Sequence, residues 1–151
     1  MNSQNNINYS IVISSILENA GVKYACIAPG ARNSPLIYAF SEFSKIKCFS
    51  HIDERSSAFF GLGLAKFSKE PTILICTSGT AGANYYPAII EASYSRVPLI
   101  ILTADRPPEW IDQGEGQSIN QNSIYKNYVG GSFQFPVDEN KDTLWQSGRI
   151  T

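Results

Sequence analysis

Apolar residues along this chain alternate between helical and strand-like spacing. In the first segment they recur every three or four residues, at Tyr9, Val12, Ile13, Ile16, Leu17 and Ala20. This spacing predicts an amphipathic helix, which Gly21 ends in a left-handed conformation. The short apolar run Y-A-C-I-A at 24–28 then predicts a strand that stops at Pro29.

The same alternation continues to residue 105. The predicted elements are, in order, a helix at 36–43, a strand at 47–52, a helix capped by Asp53, a strand at 72–77, a small-residue turn at 77–84, a helix at 85–96 and a buried strand at 97–105. The run 72–77 is apolar and continuous, which is typical of a parallel strand covered on both faces. The pattern therefore predicts an α/β fold, doubly wound, with a mostly parallel sheet and helices on both faces.

The character of the sequence changes after Asp105. The polar stretch 106–122 carries two prolines and two glycines, and it is typical of an ordered functional loop. Residues 131–137 predict a late strand, and residues 142–151 predict the start of a helix. We therefore expect one domain over residues 1–151 that is incomplete at its C-terminal end and belongs to a longer chain.

Composition and charge argue against two classes of partner. Twelve basic and thirteen acidic side chains give a net charge of −1. The chain therefore lacks the excess of positive charge expected of a protein that binds nucleic acid or an anionic membrane. The N-terminus does not read as a signal peptide, and no apolar run approaches the roughly 18 residues that span a bilayer. Cys26, Cys48 and Cys76 are widely spaced in apolar runs, which predicts free thiols and a cytoplasmic protein without a zinc site.

Polar or glycine-rich segments follow all the predicted strands up to residue 105. These segments are residues 29–34, 53–55, 77–84 and 104–109. Because the carboxyl ends of parallel strands meet at one edge of a sheet, we expect the four segments to lie together. Ligands of doubly wound proteins bind at this edge, which makes it the candidate site.

Glu54 opens the helix after the second strand, and its role has two interpretations. A carboxylate in the first turn of a helix interacts favourably with the helix dipole, by about 0.3–1 kcal/mol. Asp53, however, already supplies the cap, which leaves Glu54 free to face a ligand. A low-dielectric cleft favours the protonated form of a carboxyl, which would then exchange a proton with a ligand nitrogen.

The basic residues and the glycine-rich turn at this edge also have two interpretations. The guanidinium groups of Arg32, Arg55 and Arg106 suit carboxylate ligands, or each pairs with a nearby acidic residue. The turn at 77–84 either holds polar or anionic atoms or serves close backbone packing. It matches neither a P-loop nor a dinucleotide-binding fingerprint.

Three further side chains carry no assigned chemistry on the sequence alone. His51 lies close to the acidic pair, but a lone histidine more often has a structural role. Ser34 and Ser78 have no recognisable histidine and acid partners, so a hydrolase triad is unsupported.

Four blocks of the chain, taken in order, resemble one enzyme family. The blocks are A-P-G-A-R-N-S-P-L, H-I-D-E-R-S-S-A-F-F-G-L-G-L-A-K, C-T-S-G-T-A-G-A-N-Y-Y-P-A-I-I-E-A and L-T-A-D-R-P-P-E. They are similar to the N-terminal, pyrimidine-binding domain of the 2-succinyl-5-enolpyruvyl-6-hydroxy-3-cyclohexene-1-carboxylate synthases. These are thiamine-diphosphate enzymes of menaquinone or phylloquinone biosynthesis. T-A-D-R-P-P-E is the most specific block, whereas H-x-x-E and T-S-G-x-x-G-A-N occur more widely among thiamine-diphosphate enzymes.

The resemblance implies a catalytic role for Glu54. It matches the glutamate that hydrogen-bonds N1′ of the cofactor's aminopyrimidine and so promotes activation of the thiazolium C2 carbon. The enzyme of this family decarboxylates 2-oxoglutarate and adds the succinyl-semialdehyde carbanion to isochorismate. The protein orients and polarises, while the cofactor carries the carbon chemistry.

The resemblance also assigns binding roles to other residues. Arg32, Arg106 and Gln117 match positions that bind the substrate carboxylates and ring, and Pro29, Thr77, Gly79 and Asn84 match positions near the cofactor's pyrimidine. The chain departs from the family at Ala31, where serine is found, and at Gly116, where asparagine is found. Two polar contacts to substrate are therefore expected to be absent.

The resemblance further implies parts of the enzyme that lie outside residues 1–151. A separate C-terminal domain holds the diphosphate and its magnesium or manganese ion, and the cofactor lies at the subunit interface of a homodimer or homotetramer. We therefore expect no metal ligand here and no activity from this chain alone. Two alternatives stay open: another thiamine-diphosphate carboligase or decarboxylase of the acetolactate-synthase type, and a non-catalytic binding or assembly module.

Overall fold

A computed structural model describes residues 3–107, 110–111 and 113–135. The elements follow the order α1 (Ser3–Asn19), β1 (Tyr24–Ile27), α2 (Ser34–Glu42), β2 (Lys47–Ser50), α3 (Glu54–Ser68), β3 (Thr72–Cys76), α4 (Thr80–Asn84), α5 (Tyr86–Ser95) and β4 (Leu99–Thr103). All the helices and strands predicted before residue 106 are confirmed. Part of the predicted turn at 77–84 instead folds as the short helix α4.

The four strands form one parallel sheet in the order β2-β1-β3-β4. The central strand β1 pairs with β2 on one side and with β3 on the other. The chain therefore moves from β1 outward to β2 and then crosses back over β1 to β3. This reversal creates a topological switch point at the carboxyl ends of β1 and β3, where doubly wound folds bind ligands.

Alternate residues of the two central strands, β1 and β3, belong to two separate hydrophobic cores. Cys26, Leu74 and Cys76 cluster with side chains of α3, α4 and α5, among them Ala58, Ala81 and Ile89. Ala25, Ile27, Ile73 and Ile75 cluster with side chains of α1 and α2, among them Leu17 and Phe40. Helices therefore cover both faces, and β3 is buried along its whole length, as predicted.

Two strand predictions need correction. The strand β4 was expected to be buried, but its residues are half-buried because it forms the edge of the described sheet. Residues 131–135, the described part of the predicted strand at 131–137, are exposed and have no regular structure. Apolar alternation does not by itself supply the neighbouring strand that pairing requires. Residues 136–137 and the helix predicted at 142–151 lie outside the described residues.

The three cysteines are free, as predicted. Cys26 and Cys76 are buried in the sheet, and burial raises the pKa of each thiol to about 12. Cys48 is half-buried. Among the described helices, none combines the length and the hydropathy required to cross a membrane.

Candidate functional site

The segments that follow the four strands meet at one edge of the sheet, as predicted. Three backbone hydrogen bonds extend the sheet ladder beyond the strands, from Ala28 N to Ile75 O (2.8 Å), from His51 N to Ile27 O (2.9 Å) and from Ala104 N to Cys76 O (3.0 Å). These bonds fix where each segment leaves the sheet. Side chains from distant parts of the sequence are thereby brought to the switch point.

The loop after β1 is shaped by a buried asparagine. Asn33 accepts a hydrogen bond from Gly30 N at 2.8 Å and donates one to Ala28 O at 2.9 Å, which closes the turn. Gly30 lies so close to Thr77 that an added Cβ would come within 2.6 Å of the Thr77 Cβ. The loops of β1 and β3 are therefore in direct contact, and Pro29 is exposed beside them.

Asp53 and Glu54 have different roles at the start of α3. Asp53 is the N-cap, and its carboxylate accepts a hydrogen bond from Ser56 N at 2.7 Å. Hydrogen bonds from the Ser56 side chain and from its N–H lower the pKa of Asp53. Glu54 is half-buried, and no described residue gives its carboxylate a hydrogen bond or an ion pair. After burial itself, the charge of Glu54 contributes to the raised pKa of Cys76, so the carboxylate lies near the end of β3. The capping prediction is confirmed, and Glu54 is free to face a ligand.

Arg32 contacts Gln117, another of the three residues assigned to the substrate. Its Nη1 donates to Gln117 Oε1 at 3.0 Å and to Ser78 Oγ at 3.3 Å. The Ser78 hydroxyl in turn donates to Gln117 O at 2.7 Å. No described carboxylate forms an ion pair with Arg32, so the acidic-partner interpretation has no support at this residue.

Arg106 approaches the same loop from the end of β4. Its side chain is 14% exposed, and its Nη2 donates to Gly116 O at 2.7 Å and lies 3.4 Å from Glu115 Oε2. The guanidinium carbon lies 5.6 Å from the centre of the Trp110 ring, and Nε is buried without a partner among the described residues. For Arg106 the acidic-partner interpretation therefore holds, with Glu115 as the acid.

The glycine-rich turn serves close packing. Gly79 has a φ of 77° and a ψ of −139°, and an added Cβ would lie 2.8 Å from the backbone carbon of Gln117. Its N–H donates to Gln121 Oε1 at 2.6 Å. The packing interpretation of residues 77–84 is thus supported, because this backbone donor is already used.

The remaining candidates differ in how close they lie to the edge. Thr77 is buried directly after β3, and its Oγ1 has no partner among the described residues. Asn84 is exposed at the far end of α4, where its Nδ2 donates to Thr80 O at 3.2 Å.

The His51 ring packs on Phe60 at 4.7 Å, with Nδ1 buried and unpartnered within the described part. No group of three metal-ligating side chains is present among the described residues.

Three residues that shape the site were not anticipated from the sequence. Asn33 belongs to a recognised motif block, but its backbone bonds are visible only in the fold. Ser78 was weighed only as a nucleophile, whereas it joins Arg32 to Gln117. Gln121 gives no local signal, since its partner Gly79 lies 42 residues away.

Similarity to known proteins covers the same part of the chain. Residues 7–124 match the family described as thiamine pyrophosphate enzyme, N-terminal TPP binding domain. A curated relative from Lysinibacillus sphaericus is 52% identical over 129 residues, covering 85% of this chain and 22% of its own length. A second, from Haloarcula marismortui, is 57% identical over 119 residues, covering 79% and 20%.

A third relative, from Cytophaga hutchinsonii, is 49% identical over 138 residues, covering 91% of this chain and 25% of its own. All three are named 2-succinyl-5-enolpyruvyl-6-hydroxy-3-cyclohexene-1-carboxylate synthase. The chain spans 20% to 25% of the length of these relatives.

Proposed function

The chain belongs to the thiamine pyrophosphate enzymes as an N-terminal TPP binding domain, and we propose that it is the pyrimidine-binding part of a 2-succinyl-5-enolpyruvyl-6-hydroxy-3-cyclohexene-1-carboxylate synthase. The full-length enzyme then decarboxylates 2-oxoglutarate and joins the succinyl-semialdehyde unit to isochorismate. One observation carries the proposal most directly: Arg32 and Gln117, both assigned to the substrate, are hydrogen-bonded at the switch point. The names of the relatives also support it.

The residues present fit an aminopyrimidine. Such a ring offers a nitrogen acceptor and an amino donor, so it requires partners that are not already engaged. Glu54 is such a group, because its half-buried carboxylate has no hydrogen-bond or ion-pair partner among the described residues. In this proposal Glu54 faces the ring nitrogen, and Pro29, Thr77 and Gly79 line the ring.

Two of the proposed cofactor residues have narrower roles. The N–H of Gly79 is engaged by Gln121, so Gly79 contributes space and backbone shape instead of a donor. Asn84 turns its amide back to Thr80 O within α4, and its contact with the cofactor has the weakest support of the set.

The task of Glu54 is to hold a proton between its carboxyl oxygen and the ring nitrogen. Its carboxylate is half-buried and has no hydrogen-bond or ion-pair partner among the described residues, so it is available to the ring nitrogen. When bound, thiamine diphosphate supplies the carbon nucleophile and the electron sink for the decarboxylation and the carbon–carbon bond.

Arg32 and Arg106 provide positive charge for the substrate carboxylates. Both side chains contact the segment 115–117, and guanidinium groups bind carboxylates in a bidentate manner. The carboxylate of Glu115 lies where a substrate carboxylate could replace it beside Arg106. Gly116 accepts a hydrogen bond from Arg106 through its backbone carbonyl oxygen.

The rest of the enzyme completes the site in this proposal. Another part of the polypeptide holds the diphosphate and its magnesium or manganese ion, and the cofactor lies at the subunit interface of a homodimer or homotetramer. Exposed apolar side chains in and beside α3 support such an interface: Ile52 (96% exposed), Phe59 (44%), Phe60 (44%) and Phe67 (89%). The free cysteines support a cytoplasmic location. The 151-residue chain alone would be inactive.

Product analysis of the full-length enzyme tests the proposed function. Isochorismate is supplied with 2-oxoglutarate in one reaction and with pyruvate in another. We expect the succinylated product only in the first reaction. Formation of acetolactate from pyruvate would instead favour a carboligase of the acetolactate-synthase type, and no turnover of either mixture would favour an assembly module.

A further inference from the structure

The side chain of Gln121 joins the ends of two neighbouring strands. Its Oε1 accepts from Gly79 N at 2.6 Å, and its Nε2 donates to Ala104 O at 3.0 Å and lies 3.4 Å from Thr103 Oγ1. The backbone ladder between β3 and β4 ends just before this point, at the bond from Ala104 N to Cys76 O. The amide of Gln121 therefore continues the ladder in place of a further strand residue, because it offers one donor and one acceptor as a peptide group does.

The same segment is fixed a second time at Gln117. Ser78 Oγ donates to Gln117 O, and Gly79 packs against the Gln117 backbone so closely that an added Cβ would lie 2.8 Å from its carbonyl carbon. Gln117 itself has a φ of 56°, a left-handed conformation that costs a non-glycine residue about 1 kcal/mol or more. Such a conformation persists only when its surroundings hold it. The hydrogen bonds of Gln121 therefore help to keep Gln117 in position.

We infer that Gln121 is a positioning residue that holds segment 117–121 on the sheet edge and thereby sets the hydrogen bond between Gln117 and Arg32. Gln121 does not touch the substrate in this arrangement, since its amide is used by Gly79 and Ala104. It acts through Gln117 and Arg32, whose contact measures 3.0 Å. The inference rests on the proposed function, in which these two side chains bind substrate.

The experiment uses the full-length enzyme with Gln121→Met, which keeps the length of the side chain and removes its hydrogen bonds. Gln113→Met is the matched control, because Gln113 is exposed in the same loop. We expect Gln121→Met to raise KM for isochorismate about tenfold while kcat changes less than about threefold. Gln121→Glu keeps an acceptor for Gly79 N but sets a second acceptor oxygen against Ala104 O, so its KM should also exceed the wild-type value.

Hydrogen exchange provides a second readout that does not depend on activity. In peptides covering residues 113–125, we expect Gln121→Met to speed amide exchange about tenfold, whereas Gln113→Met leaves it unchanged. Wild-type exchange rates in Gln121→Met, or a KM equal to that of the control, would overturn the inference. A wild-type enzyme that fails to use isochorismate would refute the proposed function, while the exchange rates would still decide whether Gln121 holds the segment.

Discussion

The guanidinium of Arg32 donates a hydrogen bond to the side-chain oxygen of Gln117 at 3.0 Å, across 85 residues of chain. Ser78 braces the pair, because its hydroxyl accepts from Arg32 and donates to Gln117 O. The three residues lie where the chain reverses direction across the sheet, beyond the ends of β1 and β3. Arg32 and Gln117 are therefore parts of one hydrogen-bonded unit at this edge.

Coupling between Arg32 and Gln117 is the first prediction. In the full-length enzyme we expect Arg32→Ala and Gln117→Ala each to lower kcat/KM, and the double variant to lose less than the sum by about 1 kcal/mol. The physical reason is that either substitution already breaks the shared hydrogen bond. A double-mutant cycle from steady-state rates measures this coupling, and additive losses would contradict it.

Removal of Arg106 should impair substrate use and leave cofactor binding intact. We expect Arg106→Ala to raise KM for an anionic substrate at least about tenfold, since a charged hydrogen bond is lost from a side chain that is 14% exposed. Titration of thiamine diphosphate should give a dissociation constant close to the wild-type value. Unchanged steady-state parameters would count against this role.

Glu115→Gln is the control for that experiment. The carboxylate of Glu115 is 43% exposed and lies 3.4 Å from Arg106, so the ion pair contributes only about 0–1 kcal/mol. Its loss should therefore change KM by less than about fivefold. An effect as large as that of Arg106→Ala would mean that the ion pair, and not the free guanidinium, is what the substrate requires.

Gly79→Ala should destabilise the protein more than Gly114→Ala. Both glycines have a positive φ, 77° and 75°, but an added Cβ at Gly79 meets the Gln117 backbone whereas one at Gly114 meets nothing within 4 Å. Backbone strain alone costs about 1–3 kcal/mol, and the clash adds to it only at Gly79. Thermal unfolding of the two variants measures the difference, and equal midpoints would refute the packing interpretation of the turn.

The buried thiols should resist alkylation in the native enzyme. Burial raises the pKa of Cys26 and Cys76 from the ordinary 9.0 to about 12, so almost no thiolate forms at pH 9, where half of an unfolded thiol is ionised. Cys48, which is half-buried, should react first. Because the raised pKa belongs only to the folded state, labelling of Cys76 should become fast in urea. Rapid native labelling of Cys76 at pH 8 would contradict the buried placement.

Much of the fold was predictable because it depends on local patterns. The spacing of apolar residues located the helices and strands up to residue 105, and Asp53 identified the start of α3. The helical turn of T-A-G-A-N at 80–84 was missed, since small residues give no apolar periodicity. The strand expected at 131–137 was wrong within its described part, because pairing depends on a neighbour that the pattern does not specify.

Of the candidate site, only the sequence motifs were predictable. The blocks that contain Arg32, Glu54 and Arg106 were recognised, and the match over residues 7–124 confirms that the chain is an N-terminal TPP binding domain. The contacts that hold the site together were not predictable. Ser78 and Gln121 act on residues 39 and 42 positions away, and no spacing within a helix or strand indicates such a bond.

The central claim is that Glu54, and not its neighbour Asp53, serves the chemistry. Asp53→Ala removes a helix cap and should cost about 1 kcal/mol of stability while leaving kcat close to the wild-type value. Glu54→Gln removes the exchangeable proton and should cost at most about 1 kcal/mol of stability through the helix dipole, because no described residue depends on its carboxylate.

The most direct test is kcat of full-length Glu54→Gln with isochorismate and 2-oxoglutarate at saturating thiamine diphosphate. We expect a loss of about a hundredfold or more, with a thermal midpoint near that of the wild type. Turnover close to the wild-type value would contradict it.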